Sequence, residues 1–145
     1  MTEDDIRTYL LTQSPITTIV GTDAAKSMAR IYFNARQQDI TADSIVIRRV
    51  GTSRGHCLTG GAGYATMMIE FDCVSLTPTG AKTLANALRG ELQCFNGTMG
   101  SVTVFSVVSE DESDEYDEPV DASNRGQFHS LATYSFLVQE SIPTF

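Results

Sequence analysis

Between Tyr64 and Cys73 the chain alternates without a break. Ala65, Met67, Ile69, Phe71 and Cys73 fall on one side, and Tyr64, Thr66, Met68, Glu70 and Asp72 on the other. A period of two marks a β-strand with one buried face. A helix start signal follows: Thr77 as N-cap, Pro78 at the first helical position, then Ala81, Leu84, Ala85, Leu88 and Leu92 at helical spacing. A strand with one apolar face and a helix with one apolar stripe are complementary surfaces. The pair predicts a sheet covered by helices on one side, and no catalytic or metal-binding signature interrupts it.

The 145 residues suit a single domain spanning 1–145, large enough to bury about 68–70% of its unfolded surface without disulfides or metal. With 41% apolar and 19% charged residues the composition is that of a soluble globular protein. No stretch approaches the ~20 apolar residues of a membrane helix. The start, MTEDDIRTYLL, is acidic and predicts no leader. Cys57, Cys73 and Cys94 make an odd count with no CxxC pair, which fits a reducing compartment. His56 and Cys57 are adjacent rather than at zinc-ligand spacing, and the only other histidine is His129. No metal and no cofactor are expected.

Net charge is −8, placed unevenly. Residues 110–118 read EDESDEYDE and hold seven of the eighteen acids, leaving eleven acids against ten bases elsewhere. The body is nearly neutral and one segment carries the field, whereas a nucleic-acid binder needs a basic footprint.

Along the chain, Thr2 caps a short helix with Ile6, Tyr9 and Leu10 on one face, and Ser14-Pro15 starts a second that Gly21 ends. Strands are predicted at Arg30–Phe33, Ser44–Val50, Tyr64–Cys73, Val102–Ser109 and Phe128–Val138. In the fourth, Val102, Val104 and Val108 share one face, with Thr103, Phe105 and Val107 on the other. A glycine-rich segment, 51–63, reads as a flexible hairpin loop, 110–126 as an acidic loop, and 139–145 as an extended tail. Asn96-Gly97 and Gly100 mark a turn. The fold class is therefore α+β: one mixed, mainly antiparallel sheet of four to five strands with helices packed on a face.

Each candidate chemistry has a plain alternative. The glycine-rich segment lacks GxxxxGK[ST] and GxGxxG and leads into a strand, so no helix N-terminus meets an anion there. The acidic run has no glycine at the sixth position of a calcium loop and reads as a solvated segment. Cys57 and His56, as neighbours on extended chain, point to opposite sides. Glu70 and Asp72 share a strand face but imply no cleft. Nothing here predicts an enzyme.

Taken in order, several stretches resemble the tail-completion proteins of long-tailed phages, the tail terminator or tail-to-head joining family. They are IVG at 19–21, RIYF at 30–33, IVIRRVG at 45–51, HCLTGGAGYA at 56–65, IEFDC at 69–73, GAKTLANALRGEL at 80–92 and EYDEP at 115–119. The acidic run is longer than the family pattern requires, and residues 22–29 fit it poorly. The resemblance implies a structural subunit that assembles with itself into a homo-hexameric ring. Such a ring caps the tail tube protein, docks to a head connector or head-completion protein, and lets DNA pass without specific binding. The implied location is the tail–head junction of a virion assembled in the host cytoplasm. On this reading Gly51, His56, Leu58, Gly60, Gly63, Ile142 and Phe145 meet neighbouring subunits. Glu110, Asp111, Glu112, Asp114, Glu115, Asp117 and Glu118 line the lumen, where negative charge repels DNA phosphates. A head-side connector adaptor and an acidic DNA-mimic interaction protein stay open as alternatives.

Overall fold

The computed structural model describes residues 1–22, 29–35, 42–58, 60–118 and 126–142. Among the described residues three helices precede or interrupt the sheet: α1 (Glu3–Leu10), α2 (Ser14–Val20) and α3 (Pro78–Leu92). The Thr2 backbone N–H donates to the Asp5 carboxylate at 2.8 Å, fixing the start of α1. In α2 the N-cap is Gln13, one residue before the serine expected there, and Gly21 ends the helix with φ +87°. The start of α3 is as its sequence signal reads: Thr77 Oγ1 accepts the Gly80 N–H at 3.0 Å.

Among the same residues six strands form one sheet: β1 (Ile31–Phe33), β2 (Ser44–Cys57), β3 (Gly60–Ser75), β4 (Gly97–Met99), β5 (Val102–Asp117) and β6 (Gln127–Gln139). Their order is β1-β2-β3-β6-β5-β4. Only β1–β2 is parallel; all other pairs are antiparallel. The α+β class with one mixed sheet stands as expected. The strand beyond the expected four to five is β4, where Met99 pairs with Val102 across Gly100 at φ +57°. The glycines read as a turn are both turn and strand.

Two expected loops are strands. In the 51–63 segment β2 runs on to Cys57 and pairs with β3 as far as Gly60. The acidic segment is strand up to Asp117, each residue opposite one of β6, from Asp111↔Thr133 to Asp117↔Gln127. Asp and Glu are poor strand formers, which is why the run reads as loop. Backbone pairing with the continuous strand β6 overrides that preference. A register shift between Val104 and Ser106 also changes the facing read for β5: Val104 and Val107 are both buried, while Val108 is 52% exposed.

One core lies between the sheet and the helices. Ala65, Met67, Ile69, Phe71 and Cys73 of β3 meet Ala132, Tyr134, Phe136 and Val138 of β6, covered by Leu84, Leu88 and Leu92 of α3 and by Ile6, Leu10, Ile16 and Val20 of α1 and α2. The Phe71 and Tyr134 rings meet edge to face at 5.6 Å between centroids. The opposite face carries no element among the described residues. Across it the ladder sets Gly51, Met68, Ser135 and Val108 side by side, with Met68 and Val108 exposed.

Truncating Leu84 to Ala, fully buried at the centre of this contact, is expected to cost about 2–5 kcal/mol in urea unfolding. Tyr134 tests the interior differently. Its hydroxyl is buried without a hydrogen-bond partner among the described residues, and burial, with Glu112 next, pushes its pKa up to about 12. A raised folded-state pKa means stability is fully present below the ordinary value of about 10 and is lost as pH climbs towards 12. Tyr134→Phe should remove that alkaline loss and leave stability at pH 7 unchanged or raised by about 1 kcal/mol.

Candidate functional site

Beyond the end of β6, which stops at Gln139 opposite Tyr64, the β2–β3 hairpin continues alone as a two-stranded arm. His56↔Gly61 and Cys57↔Gly60 hold its two strands together, and Arg54↔Ala65 marks its base, where Ala65 still pairs with Val138 of β6. Glycine is needed here for close approach and for backbone sign. A Cβ on Gly55 would fall 2.4 Å from Cζ of Tyr64, so the tyrosine ring lies directly on the Gly55 backbone. Gly63 sits at φ +81°, a conformation that side chains with a Cβ resist. At the tip Leu58 is fully exposed, the most exposed large apolar side chain described.

The chain after β6 returns along this arm. The Glu140 N–H donates to Gly63 O at 2.9 Å, and Arg54 Nε reaches both Glu140 carboxylate oxygens at 2.9 and 3.1 Å. Arm and returning chain enclose a cleft of about 380 Å³ lined by Arg54, Gly55, His56, Tyr64, Glu140 and Ile142 among others. Of the residues expected at an interface, His56, Gly60, Gly63 and Ile142 come together on this cleft. Leu58 stands at the tip, and Gly51 lies outside the cleft, at a register shift of β2 with nothing near its Cβ position. Phe145 lies outside the described residues. No local pattern signals Arg54, Tyr64 or Glu140, because their places come from pairing across distant chain positions.

The acidic segment is an exposed strand whose side chains divide between two faces. Glu112 and Asp114 sit opposite the inward residues Ala132 and Ser130, on the helix side, where Asp114 pairs with Lys82 of α3. Asp111, Glu115 and Asp117 lie opposite Thr133, His129 and Gln127, on the helix-free face. Glu110 is the extra residue at the second register shift, and Glu118 follows the strand. The seven acids thus do not form one face. On the helix-free side His129 stands between two carboxylates. Its Nδ1 is 2.8 Å from Asp72 Oδ1, and Nε2 is 2.8 Å from Asp117 Oδ2. The second contact is close but not aligned as a hydrogen bond, so Nε2 meets charge without a true acceptor. Glu70, the other carboxylate of that face, pairs with Arg48 at 2.7 Å. Both carboxylates singled out in the sequence thus hold cationic or imidazole partners across the sheet.

Among the described residues no group of three or more His, Cys, Asp and Glu side chains is placed to hold a metal ion, and no helix is long and apolar enough to cross a membrane. No family model matches the chain, and no curated protein sequence does. Among solved structures it is similar to a chain of the virion of a native gene transfer agent particle. The TM-score is 0.62, over 94% of this chain and 90% of that one, at 11% identity. The two chains share a fold nearly end to end.

The arm and the ion pairs make separate predictions. Gly63→Ala should strain the backbone at φ +81° and speed hydrogen exchange at the Glu140 amide, with a global loss of about 1 kcal/mol. The hydrogen bond from Lys82 holds the Asp114 carboxyl below its ordinary range. Stability from this pair is therefore present above the unfolded value and is lost as pH falls through the lowered one. Because both groups are more than half exposed, Lys82→Ala should cost less than about 1 kcal/mol at neutral pH, while Asp114 titrates at higher pH by NMR.

Proposed function

We propose that this chain is a structural subunit of a virion or a related particle, and that it acts as a tail terminator at the tail–head junction. The near full-length likeness in fold to a virion chain of a gene transfer agent carries the coarser reading. The ordered run of stretches from IVG at 19–21 to EYDEP at 115–119 supports the finer one.

The physical arrangement suits such a role. A ring needs unlike surfaces that meet after a fixed rotation. The projecting arm with Leu58 at its tip, and the cleft beside it, are unlike surfaces that a neighbouring subunit or the tail tube could engage. The sheet covered by helices on one side leaves a bare side to line a channel. On that side Asp111, Glu115 and Asp117 are the acids of the 110–118 run able to face DNA, whereas Glu112 and Asp114 belong to the helix side. The lumen set of the sequence reading narrows to those three. Their field extends over a Debye length of about 8 Å at physiological salt, enough to keep sliding phosphates from adhering to the wall.

Electron microscopy of a lysate in which the gene is disrupted tests this reading. Filled heads beside unattached tails of uncontrolled length are expected. Leaking heads beside tails of normal length would place the subunit on the head side of the joint as a connector adaptor. Intact infectious particles would remove the virion reading. A second outcome concerns the channel: Asp111→Asn, Glu115→Gln and Asp117→Asn together should slow DNA ejection and lower infectivity while particles still assemble.

A further inference from the structure

Among the described residues both long edges of the sheet are half covered, and the uncovered halves are opposite in charge. At one edge β1 covers only Ile45–Ile47, and the Asn34 N–H reaches Ile47 O at 2.9 Å. From Arg48 to Cys57 no strand lies on the outer side of β2 among the described residues. At the other edge β4 covers Val102–Val104, and the Cys94 N–H donates to Val107 O at 3.0 Å. From Val108 to Asp117 no strand lies outside β5 among the described residues. Each bare stretch is about ten residues, or ~33 Å of backbone donors and acceptors able to take a further strand.

We propose that these two edges pair with each other between copies of this chain, residues 48–57 of one copy adding antiparallel to residues 108–117 of the next. This deepens the ring reading and rests on it only for the number of copies. The charges select the partner. The β2 stretch carries Arg48, Arg49 and Arg54 and no acid, while the β5 stretch carries six acids and no base. Arg48 and Arg54 hold Glu70 and Glu140 of their own chain, yet both remain more than half exposed and able to meet a second carboxylate. Two β5 edges brought together would set six acids against six, so a two-fold dimer through that edge is opposed. A head-to-tail contact is favoured, and that is the kind that closes rings.

Direction and stagger agree with this pairing. Within the sheet β2 runs antiparallel to β3, β3 to β6 and β6 to β5, so β2 and β5 oppose one another. A neighbour placed by rotation, helices on the same side, therefore offers β2 antiparallel to β5. The ladder sets Ile47 level with Phe71, Ala132 and Glu112, which puts the middles of the two bare stretches about six residues apart along the strands. Such an offset, ~20 Å, across four strands spaced by ~4.8 Å, tilts the strands by about 45° to the ring axis. Closed barrels have tilts of about 35–45°, so this stagger is compatible with closure.

Disulfide trapping tests the contact. In a Cys57→Ser, Cys94→Ser background, Ser53→Cys and Ser113→Cys are made as separate proteins. Both positions are exposed and on the helix-free face. Circular dichroism and elution volume establish that each variant is folded. Under mild oxidation at high protein concentration, a crosslinked dimer is expected in the mixture and not with either variant alone. A chain carrying both cysteines should give a ladder of covalent oligomers. Crosslinking of Ser113→Cys with itself, to the same extent as the mixture, would overturn the proposal. So would absence of the mixed crosslink, whether the protein stays monomeric, assembles through another surface or takes a strand of a different protein instead. Loss of the crosslink in a protein still found in particles would sink the edge pairing and leave the virion reading standing. A crosslink in a chain that no particle contains would do the reverse.

Discussion

The described structure depends on a sheet that, among those residues, buries one face against helices and leaves the other without a cover. The inward rows of β3 and β6 are continuous apolar surfaces, and α3 with α1 and α2 covers them together with inward residues of β2, β4 and β5. Hydrophobic burial is proportional to the area removed from water, so the covered side fixes the register of every central strand. A slip by one residue would turn Phe71, Tyr134 and Phe136 into solvent. The other side is left to polar pairs, Arg48 with Glu70 and Asp72 with His129, which bind strand to strand without creating a second core.

That one-sidedness releases the rest of the chain for other work. The β2–β3 arm leaves the core where its side chains shrink to glycine, and it is held by pairing, by Tyr64 on Gly55 and by the returning chain at Glu140. The acidic strand shows the opposite solution. It lacks apolar residues beyond Val108 apart from Tyr116, which packs on Phe128 at 4.8 Å between centroids, and it stays extended because β6 provides a template. Its charge then has two consequences. It opposes adhesion of like edges, and it gives the bare face a negative border.

Much of the fold was legible in the sequence wherever one physical pattern dominated. The alternation of 64–73 and of 132–138 and the Thr77-Pro78 start gave the central strands, the main helix and the α+β class. The misses share a cause: in each, a long-range partner outweighed local preference. Glycines at 51–63 and acids at 110–117 both favour irregular chain, and both are strand because a neighbour pairs with them. The inward turn of Val107 depends on a register shift that alternation alone does not encode. The same holds for the site. Of the seven residues that the resemblance placed at an interface, His56, Gly60, Gly63 and Ile142 share one cleft, but Arg54, Tyr64 and Glu140 acquire their places only once the hairpin is formed and the chain returns. The division of the acids between two faces was equally hidden until the register with β6 was known.

The central claim is that the helix-covered side faces away from a channel and the bare, acid-bordered side faces into it. Cryo-electron microscopy of particles that contain this chain reads that orientation directly. A ring at the tail–head junction, with α3 on its outer surface and Asp111, Glu115 and Asp117 on the channel wall, is the predicted result. A ring with the helices lining the channel, or particles in which the chain has no density at the junction, would contradict the account.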